Sequence, residues 1–138
     1  MKKPLIVLIA LASLAFGCKK EDTEKPKINL EAPTNETVFK QGDSFTITGT
    51  ISDNENLSQY KIDVHIGDGH NHGKMASVLA EFDFEEIKDI SGTSYNLNVA
   101  VNIPEDAEVG EYHIIVDATD EAGNQAVTVE IDFDLELK

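Results

Sequence analysis

After Lys27 the chain alternates apolar and polar residues with a period of two. In FTITGTI, Phe45, Ile47, Gly49 and Ile51 share one face and three threonines the other; in YKIDVHI, Tyr60, Ile62, Val64 and Ile66 oppose Lys61, Asp63 and His65. Successive strand side chains point to opposite faces, so this pattern predicts half-buried strands. It recurs in YNLNVAVNI (Tyr95 to Ile103), YHIIVDA (Tyr112 to Ala118) and VTVEIDFDLEL (Val127 to Leu137), with shorter candidates at INL (Ile28 to Leu30) and EFDFEEI (Glu81 to Ile87).

Polar turn signals separate these runs: Gly42-Asp43, Asp53-Asn54, Gly67 to Gly73, Ser91-Gly92, Pro104 to Gly110 and Gly123-Asn124. No segment after residue 17 sustains a helical period. About seven short strands joined by polar turns predict an all-β protein, an immunoglobulin-like antiparallel β-sandwich spanning residues 28–138.

The first 17 residues do not belong to that fold. Lys2 and Lys3 precede an apolar run from Leu5 to Phe16, then Gly17 and Cys18, the order of a secretory signal peptide. As a helix the run would reach only ~18 Å, short of a ~30 Å hydrocarbon core. Cys18 is the one cysteine and has no disulfide partner. LAFGC resembles the lipobox of bacterial lipoproteins, in which the cysteine becomes the lipidated N-terminus, although Ala15 stands where leucine is more usual. CKKED resembles the export signal of Bacteroidota surface lipoproteins. These resemblances imply lipidation at Cys18 and an outer-membrane anchor facing the cell exterior. The next stretch, KKEDTEKPK, has no apolar residue, so residues 18–27 are expected to form a flexible tether.

Removing the leader takes two of the 11 lysines and no acid, leaving nine against 26 Asp and Glu and a formal charge of −17. The chain has no arginine. Such a domain repels phosphate backbones and lacks the planar fork that grips them, which excludes nucleic acid as a partner and favours cations. The residues specify no protein or glycan partner. With no tryptophan, and with Tyr60, Tyr95 and Tyr112 in phase with the apolar sets, an exposed stacking platform for sugars is not expected.

ISDNENL at a strand end, a His-rich turn after the next strand and the closing GEYHIIVDATDEAGNQA together resemble a family of Bacteroidota lipoproteins classed as a domain of unknown function. The resemblance covers residues 24–138. It implies an immunoglobulin- or cadherin-like sandwich on the cell surface and brings no established activity.

Candidate chemistry concentrates in HIGDGHNHGK. In the predicted sandwich the third and sixth strands are antiparallel neighbours, so His65 near the end of one lies beside His113 near the start of the other. Both are out of phase with the apolar residues and share the outer face, where opposed Cβ atoms stand ~5 Å apart. His70 and His72 follow in a loop whose Gly67, Gly69 and Gly73 would take positive φ and fold it back over the pair. Four imidazoles suit Zn²⁺, and also Cu or Ni. Asp63 and Asp117 are the expected acceptors for the ring N–H groups.

At the opposite end of the sandwich, Asp53, Asn54 and Glu55 should meet Asp120, Glu121 and Asn124, and such oxygens suit Ca²⁺; ordinary turn chemistry accounts for the same residues. A catalytic reading needs a metal-activated water with Asp117 or Glu111 as base, since no nucleophile elbow or phosphate loop is present. The sequence therefore favours a binding or accessory module over a metal-dependent hydrolase, with a structural or adhesive domain lacking a transition metal as the alternative.

Overall fold

The computed structural model describes residues 21–67 and 80–138; Cys18, Gly69, His70, His72 and Gly73 lie outside them. Eight strands form, in chain order β1 (Lys27–Ala32), β2 (Thr37–Lys40), β3 (Ser44–Ser52), β4 (Leu57–Ile66), β5 (Phe84–Asp89), β6 (Ser94–Asn102), β7 (Gly110–Asp120) and β8 (Val129–Glu136). They make two sheets, β1-β3-β6 and β2-β8-β7-β4-β5, packed face to face as an immunoglobulin-like sandwich. No helix occurs among the described residues.

Alternation translates directly into burial. Ile47, Ile51, Ile62, Val64, Ile114 and Val116 are fully buried, while their chain neighbours are partly or fully exposed. Tyr60 and Tyr112 are also buried, and Tyr95 packs partly buried against the core. The buried apolar residues run from Phe45 to Leu135 and form one cluster, so the core lies wholly within the sandwich.

The strand β2 was not expected. Four residues with one inward-facing aromatic, Phe39, are too short to show a period. Nor is β2 antiparallel: it pairs parallel with β8, while β1 pairs with β3 in the other sheet. The edge segment thus crosses between sheets at Pro33 to Glu36, closing one side of both.

Gly49 sits in phase with the apolar residues of β3 for a steric reason. A Cβ there would lie 2.4 Å from the carbonyl oxygen of Asn29 on β1. Absence of a side chain lets the two backbones approach.

Candidate functional site

The β4–β7 ladder carries both candidate sites, one at each end. Its register pairs Leu57 with Asp120 at one end and His65 with His113 near the other. His65 lies eight positions along β4 from Leu57, ~26 Å at 3.3 Å per residue.

At the histidine end the two rings stand 5.9 Å apart between centroids at 61°. Two imidazoles bound tetrahedrally to one Zn²⁺ at ~2.0–2.1 Å would have centroids ~5.2 Å apart, close to the spacing of this pair. Each ring is held by a carboxylate through Nδ1. His65 Nδ1 lies 2.9 Å from Asp63 Oδ1, and His113 Nδ1 lies 2.7 Å from Asp132 Oδ1 and 3.3 Å from Glu130 Oε1. With the proton on Nδ1 donated to carboxylate, the lone pair is on Nε2. This is the arrangement that orients a metal-binding histidine and raises its basicity. Alternatively, His113, Glu130 and Asp132 offer three ligand atoms within 4.8 Å of one another. Nδ1 cannot both donate to Asp132 and bind an ion, so the two modes are exclusive.

The same end is electrostatically coupled to Lys61, whose Nζ lies 3.0 Å from Asp63 and 2.8 Å from Glu85. Hydrogen bonding to His65, and then to Lys61, holds the Asp63 carboxyl below its ordinary range. Beneath the outer face, Tyr112 stacks on Phe133 at 5.3 Å and donates its hydroxyl to Glu108 O at 2.7 Å. Burial pushes the Tyr112 phenol up to about 12. A rigid aromatic layer therefore backs the strand that carries His113.

Two expectations need correction. Asp117 does not reach either ring: it lies opposite Lys61 in the β4–β7 register and accepts a hydrogen bond from Thr128. Asp132 of β8 takes its place, because it is the cross-strand partner of His113. Gly67 is not among the residues with positive φ. Its role is close approach, since a Cβ at this position would stand 2.4 Å from His113 Nε2. Glu111 is bonded through its carbonyl, which accepts Gly67 N–H at 2.8 Å.

At the acidic end, Asp53 and Asp120 do meet, and Asp22 joins them, the three offering oxygens within 4.8 Å of one another. Asp120 is only 4% exposed and accepts from Asn124 N and Nδ2, both at 2.7 Å. Asp53 Oδ2 accepts from Glu55 N at 2.9 Å. Asp53 Oδ1 is sealed from solvent and has no hydrogen-bond partner. Asn54 and Asn124 turn their amide nitrogens to Asp22, onto Oδ1 at 3.0 Å and the carbonyl at 3.2 Å. Asp22, expected within a free tether, thus lies against the β3–β4 and β7–β8 connections.

Sequence reasoning missed Asp22, Glu130 and Asp132. The signal for Glu130 and Asp132 was present: both occupy the outward phase of β8, and an antiparallel β7–β8 pair puts that phase beside His113. Asp22 carried no signal, because a polar segment without apolar residues has no period to read.

The family model described as domain of unknown function DUF4625 matches residues 16–135. The chain belongs to that family. Its sequence is 28% identical over 109 residues to the platelet binding protein GspB of Streptococcus gordonii, an alignment covering 79% of this chain and 3% of that protein. Among solved structures, it resembles a PKD domain of an M14-like peptidase from a Thermoplasmatales archaeon, with TM-score 0.53, 16% identity and coverage of 83% of this chain and 98% of that one. It also resembles the SrpA adhesin of Streptococcus sanguinis, with TM-score 0.51, 13% identity and coverage of 84% and 57%. These likenesses establish the fold. The small share of GspB that is covered leaves that protein's activity outside the comparison.

Proposed function

We propose that this protein is a lipid-anchored binding module that displays a transition-metal site at the end of its sandwich farthest from the membrane. The leader and Cys18 supply an outer-membrane anchor facing the cell exterior, and Asp22, four residues on, lies at the acidic end. The histidine corner therefore points outward. His65 and His113 bind Zn²⁺, or Cu or Ni, through Nε2, with His70 and His72 of the following loop as further ligands. Asp63 and Asp132 orient the rings. Binding without turnover is the reading preferred over hydrolysis, because both histidines lie on the outward face of a sheet, and a corner of a small sandwich offers little to exclude water.

The observation that carries this reading is the direct pairing of His65 with His113, each ring tied at Nδ1 to its own carboxylate. Calorimetry and elemental analysis with Zn²⁺ on the lipid-free mature chain test it. His65→Ala and His113→Ala should each weaken affinity by roughly 100-fold, and the double variant should lose less than the sum, because ligands of one ion couple. Unchanged affinity in His113→Ala would remove the corner from the site.

A second reading draws on GspB and SrpA: an adhesive domain that contacts its partner through protein surface alone. Cell adhesion that survives both histidine substitutions and chelation would favour it. For the anchor, Cys18→Ala should release the protein from membranes, and protease treatment of intact cells should remove the domain.

A further inference from the structure

We infer that Asp22, Asp53 and Asp120 form a Ca²⁺ site that clamps the N-terminal tether onto the domain. Three carboxylates converge there from separate parts of the chain: Asp22 before β1, Asp53 after β3 and Asp120 at the end of β7. Among the described residues no lysine forms an ion pair with any of them. Clustering of acids is common and proves nothing alone; the independent observation is Asp53 Oδ1. This carboxylate oxygen is wholly excluded from solvent and makes no hydrogen bond, although buried polar atoms are nearly always paired. It is the only such atom among the described residues. A charged oxygen in that state lacks a positive partner, and a cation supplies one.

The donor set selects the ion. All three side chains are carboxylates, with neither imidazole nor thiolate among them, which favours a hard cation. Ligand atoms within 4.8 Å of one another match the span of one Ca²⁺ with oxygens at ~2.3–2.6 Å. Mg²⁺ is a poorer fit, because it demands closer, near-octahedral oxygens.

The clamp converts the tether from a free linker into part of the domain. Asn54 and Asn124 already hold Asp22 by its side chain and its carbonyl. Asp22 lies four positions after Cys18, at most ~14 Å of extended chain. The cation site stands without the lipid; its consequence, a domain held upright close to the membrane, rests on the anchor at Cys18.

The test compares the lipid-free mature chain in Ca²⁺ and in EGTA, by calorimetry, thermal unfolding and amide hydrogen exchange. Millimolar Ca²⁺ should raise Tm by roughly 5–15 °C and slow exchange at residues 21–26. Asp22→Asn, which leaves the core untouched, should weaken Ca²⁺ binding at least roughly tenfold and abolish the slowed exchange. Asp53→Asn should abolish the Ca²⁺ response while raising Tm in EGTA, because it relieves repulsion within the trio. Three results would each overturn the inference: no Ca²⁺ dependence in the unaltered protein, wild-type Ca²⁺ affinity in Asp22→Asn, or an Asp53→Asn variant equally destabilised with and without Ca²⁺. His65→Ala/His113→Ala should keep the full Ca²⁺ response, which separates this site from the histidine corner.

Discussion

The two ends of the β4–β7 ladder solve opposite electrostatic problems with the same backbone. At the histidine end, each imidazole is matched to a carboxylate two residues away or directly across the sheet, and Lys61 neutralises part of the excess acid. At the acidic end, three carboxylates converge and one oxygen is left buried and unpaired. One end is satisfied by its own residues; the other would be satisfied by the cation inferred above. The histidine end also rests on regular strand, so register alone places its groups. The acidic end is built from connections between strands, and its third member comes from outside the sandwich.

Both ends depend on the ladder that joins them. Ile62, fully buried opposite Val116 at its middle, is the place to break them together. Ile62→Ala should cost ~2–5 kcal/mol in chemical denaturation. If either site kept full occupancy while the domain unfolded, the two would not share a scaffold.

Next in size is the exchange of metal preference. His113→Ala should lose Zn²⁺ affinity by roughly 100-fold with Ca²⁺ unchanged, and Asp53→Asn should do the reverse, since sites this far apart are additive. Calorimetry with both ions on both variants would expose any cross-talk. A smaller effect is expected from Gly67→Ala. Its Cβ would push the His113 ring aside and should weaken Zn²⁺ roughly tenfold, with little change in Ca²⁺ binding.

The smallest effects concern pH, and they act at the histidine end. Tyr112 has a phenol pKa raised by burial to about 12, so the neutral form is the one the fold stabilises. Its contribution is complete below the unfolded value of ~10 and is lost as pH rises from there through about 12. Tyr112→Phe should flatten the alkaline limb of a Tm–pH profile. Asp63 is shifted the other way, so its contribution is present above the unfolded value of ~3.9 and fades as pH falls through the lower folded one. Asp63→Asn should shallow the acid limb slightly, because this carboxyl remains partly solvated.

How much of this was legible beforehand follows from the physics of each element. Strict alternation located every long strand, because a half-buried sheet requires it, and the phase of His65 and His113 placed both on the outer face. Their pairing followed from sandwich topology combined with their positions near a strand end and a strand start. The four-residue β2 escaped notice because one Phe cannot define a period, and its parallel pairing with β8 depends on the chain crossing between sheets. Asp117 was a reasonable second acceptor by phase, yet cross-strand register gave that role to Asp132.

The sequence by itself determined the all-β sandwich, its acidic composition and the face on which His65 and His113 lie. These are properties of local pattern and composition, and local pattern is what a strand's two-residue period exposes. Tertiary structure alone decided which carboxylate holds which ring, why residue 67 is glycine, and that Asp22 returns to the loops around Asp53 and Asp120. Those outcomes depend on contacts between residues as far as about a hundred positions apart, as in the bond from Asn124 to Asp22. No local period encodes a contact of that kind; it exists only once the sheets have packed and brought the strand ends together.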